Sequence, residues 1–277
     1  MQFRTPDGRQ RYDAVVRRAP RTVVALDFDG TLSPIVADPA SAVIHPDGPE
    51  VLADLAGVVG AVAIVTGRPV AQVLELAGLE RVADRLPDDV RLLVRGQYGN
   101  ERWDSTTRET TTPAAPESLD RFREALPGLL AEHDAGEAFV EEKGLAVAVH
   151  TRRMADPQAA YDRLVAPLRE AAEDCGLALE PGRLVLEVRA PGTDKGDAVR
   201  VLVEECAAEG FVFVGDDLGD VPAFDAVRDL RGPDLAGLLV CSGSTEQAAL
   251  VERSDLVVDG PDGVVEFLRA LTRDARD

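Results

Sequence analysis

The chain has 277 residues, enough for one large domain or two modest ones, and 45% are hydrophobic with only 4% aromatic, so Ala, Val and Leu must carry the interior. Its formal net charge of −20 argues against nucleic acid or an anionic membrane as a partner, and any anionic substrate would need local positive charge. Three scattered cysteines without a C-x-x-C pair indicate neither a disulfide framework nor a zinc site and fit a reducing cytoplasm. Residues 1–20 lack the apolar stretch of a secretory signal, and the longest apolar run, 55–65, is too short to span a membrane.

Short apolar runs recur at 23–26, 62–65, 92–94, 211–214, 238–241 and 256–258. Most carry Val or Ile without clean alternation, which suits strands buried on both faces. Helical patterns separate several of them. One runs from Pro69 towards Ala77 with Gly78 as its stop, and another from about Asp194 to Gly210 with Ala198, Val199, Leu202, Val203 and Cys206 on one stripe. Alternating strands and helices predict an α/β fold with a parallel sheet. The middle differs. Residues 106–116 read as a linker, followed by a helix from Glu117 to about His133 and strands at 138–141 and 145–151 around Lys143-Gly144. Asp156-Pro157 opens a helix that ends at Cys175-Gly176, and strands at 177–180 and 184–189 flank a turn at Pro181-Gly182. That order predicts a small α+β domain inserted into the larger one.

Four segments fall at predicted strand ends or helix starts. Asp27-Phe28-Asp29-Gly30-Thr31 follows the first apolar run, so two carboxylates reach the carboxyl edge of the sheet, where open α/β folds bind ligands. They could be turn or capping acids. The economical reading is a metal-assisted site in which one aspartate attacks phosphorus and the other handles a proton. Thr66-Gly67-Arg68-Pro69 ends the second run at a helix start, where a hydroxyl and backbone N–H groups either bind an anion or merely cap the helix. Lys195 lies in the first turn of a helix, where the macrodipole disfavours a cation by ~0.3–1 kcal/mol. A lysine that breaks this rule is either tolerated at the surface or holds phosphate oxygens or a nucleophilic carboxylate. Asp216, Asp217 and Asp220 crowd the loop after 211–214, and a hard cation such as Mg²⁺ would relieve their repulsion.

Together, and in this order, these segments resemble the four motifs of the haloacid dehalogenase-like (HAD) phosphohydrolases. Within that superfamily the extended run Asp27 to Ile35, with Glu141-Glu142-Lys143, His150-Thr151-Arg152 and Glu187-Val188-Arg189, is similar to the trehalose-6-phosphate phosphatases. The resemblance implies a Rossmann-like HAD core at 1–110 and 190–277 around an α+β cap at 111–189. It implies a phosphatase acting on a small sugar phosphate, with Asp27 as nucleophile, Asp29 as acid and base, and Thr66 and Lys195 assisting. Mg²⁺ would be held by Asp27, the main-chain carbonyl of Asp29, and Asp216, with Asp217 and Asp220 as further ligands or supporting acids. Backbone N–H groups near Phe28, Asp29 and Gly67 would bind the phosphoryl oxygens. Glu141, Lys143, His150, Arg152, Glu187 and Arg189 would meet the sugar. The chain departs from the family at Gly219, Val221 and Tyr98, where Thr, Glu and His are usual, so another disaccharide-like phosphate remains an alternative, as do a phosphomutase and a non-catalytic binding module.

Parity sharpens the reading of the cap. Leu184, Leu186 and Val188 share one face and suit packing on helices, while Val185, Glu187 and Arg189 share the other. Likewise Val147 and Val149 oppose Ala146, Ala148, His150 and Arg152. The second face is expected to look down on the catalytic aspartates and bind sugar hydroxyls.

Overall fold

The six apolar runs become the parallel heart of a large sheet in the computed structural model, which describes residues 2–36, 38–243 and 248–277. In chain order the elements are β1 (Gln2–Phe3), α1 (Gly8–Arg17), β2 (Thr22–Leu26), α2 (Gly48–Ala56), β3 (Ala61–Val65), α3 (Val70–Ala77), α4 (Leu79–Ala83), β4 (Leu92–Gly96), β5 (Glu101–Asp104) and β6 (Thr110–Thr111). There follow α5 (Glu117–Glu132), β7 (Phe139–Glu142), β8 (Ala146–His150), α6 (Pro157–Asp174), β9 (Ala178–Gly182) and β10 (Val185–Arg189). Last come α7 (Lys195–Glu205), β11 (Gly210–Gly215), α8 (Val221–Leu230), β12 (Ala236–Gly243), α9 (Ala248–Arg253), β13 (Leu256–Asp259) and α10 (Gly260–Arg276). The chain divides into two compact units, one formed from the segments up to Thr112 and from Asp194 onward, the other Pro113–Thr193.

In the larger unit the strand order is β1-β13-β12-β11-β2-β3-β4-β5-β6 among the described residues. The run from β13 to β4 is parallel, and β1, β5 and β6 pair antiparallel at the edges. Successive residues point to opposite faces, and both faces are apolar. Val24, Leu26, Val62, Ile64, Val212 and Val214 pack with α1, α2, α3 and α10. Val23, Ala25, Ala61, Ala63, Phe211 and Phe213 pack with α7, α8 and α9. Alternation is therefore absent from these strands because neither face meets water. The chain order reverses between β2 and β11, which makes their carboxyl ends the topological switch point of the sheet.

The smaller unit is an antiparallel sheet of order β7-β8-β10-β9 backed by α5 and α6. Val147, Val149, Leu186 and Val188 face Leu119, Phe122, Leu164 and Leu168 of those helices, as parity predicts. Leu184 does not join them. The β9–β10 turn is Arg183-Leu184, with Leu184 left-handed at φ 58°, because Val185 pairs with Gly182 and Leu186 with Pro181. Pro181 sits within β9, an edge strand, where a missing N–H is tolerated. Two other expectations shift. The stretch read as a linker contributes β6, whose β-branched Thr110–Thr111 pairs with β5. The helix expected to reach Gly210 stops at Glu205, since Ala207 turns left-handed at φ 45° and Ala208 N–H closes onto the Val203 carbonyl. Among the described residues no helix is long and apolar enough to cross a membrane.

Leu164 is fully buried in the smaller unit's core. Leu164→Ala should cost about 2–5 kcal/mol of unfolding free energy, read from the urea midpoint at unchanged slope.

Candidate active site

The switch point brings together residues that are far apart in sequence. Asp27 follows β2 and donates its N–H to the Val214 carbonyl of β11 at 2.9 Å, so it stands beside the strand that delivers Asp216. Asp27, Asp216, Asp220 and Lys195 are 5%, 4%, 0% and 4% exposed. One carboxylate oxygen from each of the three acids lies within 4.8 Å of the other two. Lys195 Nζ, from the first turn of α7, lies 2.7 Å from Asp27 Oδ1 and 2.6 Å from Asp220 Oδ1. Asp220 Oδ2 accepts from the N–H groups of Asp216 (2.9 Å) and Asp217 (3.2 Å). Both Asp220 oxygens are thus engaged by protein donors. Asp217 is exposed and accepts from Gly219 N–H at 2.8 Å, so it shapes the loop from outside the buried cluster. Gly30, at φ 72°, faces Asp216 so closely that a Cβ there would fall 2.0 Å from Asp216 Oδ2.

Electrostatics follow from burial. Loss of water pushes the Asp27 carboxyl well above the ordinary range; Lys195 opposes the shift, while Asp220, Asp217 and Asp29 add to it. Asp216 is pushed up to about 9 by burial and next by the Asp27 and Asp220 charges. Burial works against the charge of Lys195, but Asp220 and Asp27 outweigh it and hold the ammonium well above its usual value. One ammonium cannot neutralise three ionised carboxylates, so Asp27 and Asp216 are driven towards their neutral forms unless a second cation joins them. Asp216 Oδ1 is buried with no hydrogen-bond partner. An oxygen-rich, under-neutralised cluster with an unsatisfied carboxylate oxygen fits a hard divalent cation such as Mg²⁺.

The second aspartate is held elsewhere. Asp29, 43% exposed at its side chain, takes a bidentate pair from Arg68, whose Nε lies 2.6 Å from Oδ2 and whose Nη2 lies 2.7 Å from Oδ1. The guanidinium covers the ring of Phe28, which is itself fully buried. Thr66 is buried after β3, and its Oγ1 accepts from Arg68 N–H at 3.2 Å. Gly67 faces Tyr98, whose ring would stand 2.9 Å from a Cβ at that position. Gln97 and Tyr98 are both left-handed, at φ 47° and 63°, and Tyr98 N–H donates to the Thr66 carbonyl at 2.9 Å. Val70 N–H is taken at 2.6 Å by Glu101 Oε2, which Gln97 also holds through Oε1.

In the smaller unit the pairing register gathers Phe139, Glu141, Ala146, Ala148, His150, Glu180, Glu187 and Arg189 on the face away from the helices. Lys143 Nζ meets Glu187 Oε2 at 2.6 Å, and His150 Nε2 meets Glu141 Oε2 at 2.9 Å. Arg189 binds Glu180 Oε1 at 2.9 Å and the Thr193 carbonyl at 2.6 Å. Arg152 lies beyond β8 and donates to the Arg183 carbonyl at the turn, 3.2 Å away. Glu187 Oε1 is buried without a hydrogen-bond partner.

Sequence reasoning assigned no role to Arg68 or Glu180. Arg68 carries the signal used for Lys195, a cation at a helix start against the macrodipole. Glu180 emerges once the turn is moved to Arg183-Leu184, which sets it opposite Glu187.

The family model for trehalose-phosphatase matches residues 25–254. The chain is 35% identical over 234 residues to the "Uncharacterized glycosyl hydrolase Rv2006" of Mycobacterium tuberculosis, covering 80% of this chain and 17% of that protein. It is 30% identical over 284 residues to a trehalose-phosphate phosphatase of the same organism, covering 96% of this chain and 64% of the relative. The chain therefore spans less than two thirds of either relative's length. The C-terminal domain of Candida albicans trehalose-6-phosphate phosphatase shares the fold, with a TM-score of 0.74, 18% identity and 98% coverage of each chain.

The raised Asp216 value fixes the sign of a metal effect. Its protonated form is favoured in the fold, so the stability it contributes is present at low pH and lost as pH rises from about 3.9 towards about 9. A cation that takes the carboxylate displaces that proton, so its stabilisation grows through the same window. Mg²⁺ at a hundredfold excess over its Kd should add about 2.7 kcal/mol, or roughly 5–10 °C in Tm. Thermal unfolding with Mg²⁺ and with EDTA should give a larger difference at pH 8 than at pH 6, and Asp216→Asn should shrink it.

Proposed function

The chain belongs to the trehalose-phosphatase family, and from that premise we propose that it is a Mg²⁺-dependent phosphomonoesterase that hydrolyses trehalose 6-phosphate to trehalose and phosphate through an aspartyl-phosphate on Asp27. The observation that carries this reading is the buried Asp27 held by Lys195 Nζ at 2.7 Å, with the unsatisfied Asp216 carboxylate beside it.

Asp27 attacks phosphorus in line, and the sugar oxygen leaves. Two like unit charges at 4 Å repel by ~4 kcal/mol at an effective dielectric of 20, so the attack needs nearby cations. Lys195 is one, fixed between Asp27 and Asp220 before substrate arrives. Asp27, the Asp29 carbonyl and Asp216 would hold Mg²⁺, with Asp220 orienting the loop through its bonds to Asp216 and Asp217 N–H. When bound, the ion supplies positive charge between the carboxylates and the phosphoryl oxygens. Thr66 Oγ1 and backbone N–H groups near Phe28, Asp29 and Gly67 bind those oxygens. Asp29 gives its proton to the departing sugar oxygen, then takes one from the water that cleaves the aspartyl-phosphate.

In this reading Pro113–Thr193 is the cap, and its polar sheet face recognises the sugar through Glu141, Lys143, His150, Glu187 and Arg189, with Arg152 at the rim. These groups alternate in charge and suit hydroxyls, which both donate and accept. The absence of a membrane-spanning helix among the described residues and the free cysteines are compatible with work in the cytoplasm.

Asp27→Asn should lower phosphate release by at least about 1,000-fold. Glu187→Ala and His150→Ala should raise KM for trehalose 6-phosphate by about tenfold, the equivalent of one lost hydrogen bond to a charged group. A panel of sugar phosphates, with and without Mg²⁺, separates trehalose 6-phosphate from other disaccharide phosphates. Release of an isomerised sugar phosphate in place of free phosphate would replace hydrolysis with a mutase.

A further inference from the structure

Arg68 is tied to both strand-end segments that frame the larger unit's site. Its backbone N–H donates to Thr66 Oγ1 at 3.2 Å, and its guanidinium grips both oxygens of Asp29 at 2.6 and 2.7 Å. Nη1 donates to Gln72 Oε1 at 3.3 Å, one turn along α3, and the guanidinium carbon lies 5.6 Å from the Phe28 ring centre. The arginine side chain is 8% exposed, whereas Asp29 is 43% exposed. A cation buried at a helix start opposes the macrodipole and loses water, so its geometry is imposed by its partners. Set over the Phe28 ring and bonded to Gln72, the planar fork has little freedom, and a bidentate pair fixes the plane of the carboxylate as well as its distance.

We propose that Arg68 is a positioning residue that sets the side chain of Asp29 for proton transfer to the leaving group. The proposal deepens the phosphatase reading and rests on Asp29 being the proton donor. In the first half-reaction an Asp27 oxygen bonds to phosphorus and the bond from phosphorus to the leaving oxygen breaks. The electron pair stays on that oxygen, which takes a proton that Asp29 has first taken up from solvent, and Asp29 returns to the carboxylate. While both bonds of the fork stand, the guanidinium holds Asp29 as the carboxylate, with no proton to give. One of the two bonds must open while the other keeps the carboxyl in place, and a fork of two donors on separate nitrogens permits this where a single ammonium would not.

The test is the leaving-group dependence of kcat/KM for Arg68→Ala and Arg68→Lys, which covers the steps through formation of the aspartyl-phosphate. A series of aryl phosphates of rising phenol pKa lacks the sugar, so sugar recognition is not in play. The nitrophenolate of p-nitrophenyl phosphate departs with little help from an acid, and phenol needs it. For Arg68→Ala the loss should grow from about threefold on p-nitrophenyl phosphate to at least about thirtyfold on phenyl phosphate, steepening the slope as Asp29→Asn does. Arg68→Lys, which keeps the charge without the fork, should steepen it too, and it serves if the alanine variant does not fold. A parallel drop across the series, with the slope unchanged, would mean that Arg68 only braces the Thr66–Gly67 loop and would overturn the proposal. An unmutated protein that releases phosphate from none of these esters or from trehalose 6-phosphate would overturn the phosphatase reading itself, and this inference with it.

Discussion

The larger unit's site depends on one buried ammonium. Lys195 Nζ bridges Asp27 and Asp220 at 2.7 and 2.6 Å, where neither acid has appreciable access to water. Removing the lysine would leave two buried carboxylates with no cation, a change that costs about 3–5 kcal/mol in comparable buried pairs. The effect also propagates. Asp220, fixed by the lysine through one oxygen, uses the other to hold the N–H groups of Asp216 and Asp217. The loop after β11 therefore takes its shape from the same charge that neutralises Asp27. Gly30 completes the arrangement, because the Asp216 carboxylate fills the space a side chain there would need.

The sheet makes that convergence possible with short side chains. The carboxylate oxygens of aspartate lie only three bonds from Cα, and Asp27 and Asp216 approach each other because their strands are neighbours. β2 and β11 are paired in parallel register, Leu26 opposite Val214, and each acid lies at or just beyond its strand's end. β3, on the other side of β2, brings Thr66 to the same edge. The strands that deliver these groups are apolar on both faces and packed between two helical layers. The polar groups thus stand on a rigid frame, and the strain sits in the loops, at the left-handed pair Gln97 and Tyr98.

Much of this was legible in the sequence because it is local. The apolar runs marked the central strands, and the side-chain period of two separated the packing face of the smaller unit from its polar face. Gly78 ended its helix as expected, at φ 59°. What stayed hidden depends on partners distant in sequence. Arg68 and Asp29 are 39 residues apart, and Lys195 and Asp220 are 25 apart. Nothing local distinguished Asp220, which orients the loop, from Asp217, which caps it at the surface. Glu101 closing the start of α3 was equally out of reach, since its role requires β5 to fold back beside that helix. The Pro181-Gly182 turn failed for a different reason. Proline and glycine favour turns, but two-residue hairpin geometry is set by pairing on either side, and here a left-handed leucine was accepted to keep Glu187 opposite Glu180.

The two units carry charge in different ways, and this bears on the proposed division of labour. On the smaller unit's polar face the charged groups are matched, Lys143 with Glu187 and Arg189 with Glu180, and His150 bonds to Glu141. A neutral polyhydroxyl ligand suits such a surface, because each hydroxyl can replace one half of a paired contact without leaving a net charge behind. A phosphate dianion does not, and on a chain of net charge −20 it gains nothing from long-range attraction. It needs cations fixed in advance at short range. On the proposed function, Lys195 and a divalent ion held by the acids beside it would supply that in the larger unit. On the proposed function, the phosphoryl group would be selected by local charge and the sugar by hydrogen bonding.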